Sequence, residues 1–231
     1  MLRETLLASL LAGLCAAVML ACLQSVWVTP LILKGEVYED AAPVAASEEA
    51  HHSDEHHHEA EEWKPQDGLE RTLYTLAADL LLAVGYAFVL TSTYLLWRAP
   101  RSPLWGAAFG LAGFVVFFGA PALGLPPELP GTAAAELSVR QAWWIMTAAA
   151  TAVGLLMLFS SRRIGVRLLA VAVLIAPHLV PAPQPAVVSS LAPEQLQSQF
   201  RLATTLCNAV FWVTLGVVSS VAWRKLVRQH D

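Results

Sequence analysis

Residues His51 to Glu62 read HHSDEHHHEAEE, five histidines and five carboxylates within twelve positions of a largely apolar chain. Neutral imidazole is a good ligand for Co²⁺, Ni²⁺, Zn²⁺ and Cu²⁺. His52 and His56 are four residues apart, so one helical turn would place them on a common face. His51, His57, His58, Asp54, Glu55 and Glu59 could complete a metal site there. So dense a run allows many alternative ligand sets, which predicts modest affinity and low selectivity. Its carboxylates would raise the local cation concentration. Imidazole titrates near pH ~6.5, so acid would release the metal. The competing reading is a solvated low-complexity loop.

A second set of polar residues lies inside apolar runs. Asp79 sits eight residues past Arg71, roughly 12 Å deep at ~1.5 Å per residue. A carboxylate at that depth is expensive and points to an ion pathway or an ion partner; the alternative is a structural carboxylate bonded to a neighbouring helix. Asn208, seven residues past Arg201, reaches a similar depth, and Gln24 lies in the outer third of the first apolar run. Both could line the same polar track, or serve as polar glue between helices. His178 follows Pro177, whose missing N–H frees a backbone carbonyl. Imidazole and carbonyl together could form a waypoint below the loop, with Glu128 beside it at an outer mouth; an ordinary interfacial histidine is the plainer reading. Cys15 and Cys22 share a helix face and could offer soft ligands inside a metal pathway, but read first as apolar packing; Met146 and Met157 read as lipid-facing or packing residues.

The elements that must position these residues are membrane helices. The chain has 231 residues, 56% hydrophobic and only 14% charged, against about 25% charged in an ordinary soluble domain. About twenty apolar residues cross a bilayer, and backbone groups in lipid must pair within the helix. These rules predict an all-α integral membrane protein of six spans: about 6–33, 72–97, 104–125, 142–159, 164–180 and 202–223. The fifth is short and is where the number of spans could change. The whole chain, 1–231, reads as a single transmembrane domain, with residues 34–68 as an extracytoplasmic His/acid-rich loop.

Nine Lys/Arg fall in one set of connections and five in the other. By the positive-inside rule both termini are cytoplasmic, in a cell inner membrane, and the histidine loop lies outside. Trp97, Trp105 and Trp223 then mark the inner interface, and Trp143 and Trp144 the outer one. The first apolar run continues through VWVTPLIL with no A-x-A site, so it is expected to stay as a span. Ten of the eighteen acids lie between Glu36 and Glu62, and no basic patch suggests nucleic acid.

The outward spans end alike, in Thr29-Pro30-Leu31-Ile32, Ala120-Pro121-Ala122-Leu123 and Ala176-Pro177-His178-Leu179. Each following span opens on an arginine: Arg71, Arg140 and Arg201. Small or polar residues then recur, Ala78 and Gly85, Thr147 and Gly154, with Asn208 in register and Gly216 one position late. Three tandem parallel helix hairpins would give this pattern, with Pro121 and its equivalents and the three arginines ringing an outer mouth. Proline and arginine also mark interfacial helix ends, so the repeat stays open. Glu70 with Arg71, and Glu136 with Arg140, are expected to pair at the outer surface. No P-loop, GxSxG, HExxH or HisxxxxAspHis sequence occurs, which gives no support to an enzyme.

Several stretches together carry a resemblance: LLASLLAGLCAAVMLACLQSVWVTPLILKGEVYE, GLERTLYTLAADLLLAVGYA, APALGLPPELPG, RQAWW, APH and NAVFWVTLG. The chain resembles the CbtA family of predicted cobalt transporters over about residues 1–225. The resemblance implies uptake of divalent cobalt (or nickel) for cobalamin synthesis, with Co²⁺ as substrate and no tightly bound cofactor. It also implies a small single-span, histidine-rich companion subunit in the lipid bilayer. The family is commonly described with five spans. The matching residues are Glu70, Arg71, Pro121, Pro126, Pro127, Glu128, Arg140, Trp144, His178 and Asn208. The histidine run falls between the matched blocks, as a variable insertion would. A non-transporting scaffold or metal sensor, or an exporter, would share these features.

Overall fold

A computed structural model describes residues 2–41, 65–66, 68–97, 100 and 102–228. The histidine run lies outside the described residues. Among the described residues six helices make up the fold: α1 Leu2–Asp40, α2 Leu69–Leu96, α3 Pro103–Ala122, α4 Leu137–Ser160, α5 Ile164–Leu179 and α6 Glu194–Arg228. All but α5 are long and apolar enough to cross a membrane.

α5 is twelve α-helical residues closed by four in a 3₁₀ turn. That spans ~26 Å, a little under the ~30 Å hydrocarbon core. It nevertheless returns to the end of the bundle at which α4 begins, called the outer end after the expected orientation, with the opposite end the inner one. The Trp143 indole N–H donates to the Val180 carbonyl (3.2 Å), and the Trp143 ring meets His178 edge-on at 6.3 Å. The last helix is longer than its apolar run, beginning at Glu194 and running for 35 residues. The first helix also outlasts its expected span. It continues to Asp40, past Lys34, where the connection was expected to begin.

Pro30 is accommodated inside α1 by a widened turn. Proline has no N–H for the carbonyl four residues back, and its ring crowds that carbonyl. The preceding turn, Gln24–Val28, opens to a π-turn in which Thr29 N–H bonds to Gln24 O. α3 repeats this in register: Val115–Gly119 is a π-turn, Ala120 N–H bonds to Val115 O, and Pro121 follows. In α5 the chain tightens to 3₁₀ at Ala176–Leu179. Two of the three proline ends are thus structurally equivalent, and the third departs.

The packing does not form three hairpins. α1 packs on both α2 and α6, and α3 packs on α6. α4 pairs with α5, and α4 also packs on the outer end of α3. Among the described residues α3 meets α4 only over its last turns and has α6 as its main partner, and α5 and α6 do not form a pair. Glycine decides part of this choice. Gly106, Gly110 and Gly216 let α3 and α6 meet backbone to backbone, and a methyl on any of them would overlap the opposite main chain or Ser220. Gly13 does the same for α1 against the Val84 backbone. Gly154 faces Leu174 of α5, whereas Gly85 faces open space and packs nothing.

A cap ties the outer ends together. Gln197 of α6 is 1% exposed. Its amide nitrogen donates to Thr132 Oγ1 (2.6 Å) and Ser190 Oγ (2.9 Å), and its oxygen accepts from Leu129 N–H (3.2 Å). Thr132 and Ser190 also form an antiparallel bridge. Gly131, at φ +73°, provides the left-handed turn that brings these loops together.

Candidate functional site

Asp79 lies on the inward face of α2 and is 7% exposed. Gln24, in the π-turn of α1, lies beside its carboxylate. Among the described residues Asp79 Oδ2 and Gln24 Oε1 have no hydrogen-bond partner, although both atoms are shielded from solvent. Thr204 Oγ1 of α6 is in the same condition. α2 and α6 run parallel, with Tyr86 against Phe211 and Trp212 and the Tyr94 hydroxyl 2.9 Å from Ser219 Oγ. That register sets Thr204 at the depth of Asp79. Asn208, one turn deeper, donates its amide to the Thr204 carbonyl at 3.0 Å.

Above this level the charged side chains find different partners. Arg71 forms a two-pronged ion pair with Glu36 of α1, at 2.6 and 3.1 Å. Among the described residues this pair stands where Glu70–Arg71 was expected, because adjacent helical residues point about 100° apart. Glu70 accepts instead from Gln66 N–H at 3.3 Å. Arg201 reaches Glu194 of its own helix at 3.5 Å. Glu136 accepts from the Ser138 hydroxyl, and its side chain is not paired with Arg140 among the described residues.

Below Asp79 an aromatic cluster crosses the bundle. Tyr86 meets Trp212 at 4.7 Å and Phe117 at 5.0 Å, and Phe117 stacks on Trp212 at 5.5 Å and 2°. Beneath the rings lies a second polar level. Ser9 Oγ and Thr91 Oγ1 share a 2.7 Å hydrogen bond between α1 and α2, and Tyr94 and Ser219 join α2 to α6. Glu4 and Thr5 are buried still nearer the inner ends. Sequence reasoning passed over these residues. Their one signal is a polar group every three or four positions along the apolar helices, as in Thr5 and Ser9 or Thr91 and Tyr94.

Glu128 and Arg140 line a different feature, an outward cleft of about 640 Å³ between α3 and α4. Phe117, Pro121, Pro127, Gln141 and Trp144 form much of its wall. His178 is exposed and stands against Trp143, while Trp144 faces the cleft. His178 is therefore not among the residues lining the Glu128 cleft. Of the expected pathway residues, the structure joins Asp79 with Gln24 and sets Asn208 one turn below. It leaves Glu128 and His178 at separate places on the outer face. Among the described residues no group of three or more His, Cys, Asp or Glu could hold a metal ion. His51, His52, Asp54, Glu55, His56, His57 and His58 are not among them.

No curated protein and no solved structure matches the chain. One family model does, over residues 2–224, and it is described as a probable cobalt transporter subunit. That match takes in Asp79, Gln24, Asn208, the proline ends and the outer cap, and the chain belongs to the CbtA family.

Proposed function

We propose that this chain is the membrane permease subunit for uptake of divalent cobalt, with the outer His/acid loop collecting metal at low selectivity. The observation that carries the reading is Asp79: a carboxylate 7% exposed inside an apolar bundle, with one oxygen unpaired among the described residues. Such a group is costly without a cation to meet it. The ion approaches from the outer side, with both termini cytoplasmic, and exchanges part of its water for the Asp79 level. It then passes the Tyr86, Phe117 and Trp212 rings to reach the Ser9, Thr91 and Tyr94 level. The rings must separate for each passage, so ion transfer and helix movement are coupled.

A lone carboxylate binds weakly enough to release the ion. Membrane potential favours inward movement of a dication by about 4.6 kcal/mol per 100 mV. Asn208 helps hold the α6 backbone beside Thr204. His178 and Glu128 act at separate outer positions, as contacts along the approach rather than one mouth. A single-span, histidine-rich subunit completes the transporter.

Labelled cobalt followed in cells lacking other cobalt importers tests this, with and without the companion subunit. Wild type should accumulate cobalt and Asp79→Ala should not. Equal accumulation by both would remove Asp79 from the route. Faster loss from preloaded cells would identify an exporter. No change with the chain present would leave a scaffold or sensor.

A further inference from the structure

The three oxygens without partners at the Asp79 level have a specific chemical meaning. Buried oxygens in folded proteins are nearly all hydrogen-bonded, and an exception marks an ion, a water or a reactive group. Among the described residues six buried side-chain atoms lack a partner, and three of them are Gln24 Oε1, Asp79 Oδ2 and Thr204 Oγ1. They come from three helices, α1, α2 and α6, which all pack together. One is a carboxylate, one an amide carbonyl and one a hydroxyl, so the set carries a single negative charge and offers only oxygen.

We propose that Gln24 Oε1, Asp79 Oδ2 and Thr204 Oγ1 together form an oxygen-only binding site for a partly hydrated divalent cation. This deepens the uptake reading at the same carboxylate and can fail separately from it. A six-coordinate dication bound by three protein oxygens keeps about three of its waters. Retaining them keeps the dehydration cost low. The absence of imidazole and thiolate from the set makes the site weaker and less selective than a structural zinc centre. The π-turn contributes directly. It is the irregular turn demanded by Pro30 that carries Gln24, and α1 bears this donor where its winding changes. Thr204 is held from behind, since its carbonyl accepts the Asn208 amide and its hydroxyl is left over.

The test uses the full chain with His51, His52, His56, His57 and His58 changed to alanine, purified in detergent and titrated with Co²⁺ alone. Cobalt K-edge absorption reports the ligand shell. One equivalent should bind, with a shell of oxygen only. Asp79→Asn should weaken binding at least 100-fold. Thr204→Val, which removes the hydroxyl and keeps the shape, should weaken it about 10-fold, and Thr204→Ser should restore it. Gln24→Leu should resemble Thr204→Val. Thr75→Val, an exposed position one turn above Asp79 whose hydroxyl bonds to its own helix, should bind as the parent does and controls for folding. No binding by the parent, a shell containing nitrogen or sulfur, or wild-type affinity in Thr204→Val and Gln24→Leu would overturn the site. If cobalt uptake in cells persists under any of those results, the transport reading stands and only the site falls. If the site binds as described while uptake is absent, the transport reading falls and the site stands.

Discussion

Replacing Asp79 by asparagine isolates the charge. The two side chains have nearly the same volume, and the asparagine can still face Gln24, so packing survives. What is lost is the attraction between a carboxylate and a dication. Two unit charges 4 Å apart attract by about 4 kcal/mol at an effective dielectric constant near 20, so a dication doubles this to about 8 kcal/mol. Part of it offsets the ion's lost hydration. Removing one partner of a buried charge pair costs about 2–5 kcal/mol when measured directly. At about 1.4 kcal/mol per factor of ten, that is roughly 30- to several-thousand-fold. Asp79 is 7% exposed, so solvent does little to screen the effect. Initial rates of labelled cobalt uptake, taken across cobalt concentrations and normalised to the protein in the membrane, should therefore fall by at least about 30-fold at subsaturating metal. A normally inserted Asp79→Asn protein with wild-type rates would refute the reasoning, because it would show that no charge at this depth meets the ion.

Other perturbations probe the parts around that level. Deleting His51 to Glu62 should raise the cobalt concentration needed for half-maximal uptake and leave the maximal rate largely intact; uptake abolished at saturating cobalt would show the loop to be obligatory. Gln197→Ala should destabilise the outer cap by about 2–4 kcal/mol, because Leu129 N–H, Thr132 and Ser190 all lose a buried partner. Thermal unfolding in detergent, together with protease cleavage near Pro126–Gly131, measures it, and an unchanged melting temperature would contradict the cap. Gly216→Ala should cost more than about 2 kcal/mol by forcing α6 away from the α3 backbone, whereas Gly85→Ala, facing open space, should be neutral or mildly stabilising. Paired melting curves of the two variants decide this directly.

Much of the fold was legible from local rules. Apolar length placed all six helices, and the short Ile164–Leu179 segment was visible as the doubtful span. Asp79 was legible because a carboxylate deep in an apolar run has few structural uses, and the structure does bury it. Helix partnership was not legible. It depends on Gly106 and Gly110 meeting Gly216 about a hundred residues away, and no local pattern announces that match. The recurring small-Pro motif suggested three equal hairpins; its physical content is a widened turn before Pro30 and Pro121, which says nothing about which helix packs where. Arg71 and Glu36 are separated by the long outer connection, so the adjacent Glu70 looked the better partner. Gln197 sits in EQLQSQ, which reads as a solvated helix start, yet its amide is the buried link of the outer cap. Glu128 and His178 looked like one mouth because both follow an outer proline, but Trp143 and Trp144 turn them to different faces of α4.

The most direct test of the transport claim is flux through purified protein. The chain and its companion subunit are reconstituted in liposomes holding a cobalt-quenched dye, and an inside-negative potential is imposed with a potassium ionophore. Dye quenching should be fast for wild type, slow for Asp79→Asn, and steeper as the potential grows. Quenching no faster than in protein-free liposomes, at every potential, would contradict a cobalt permease.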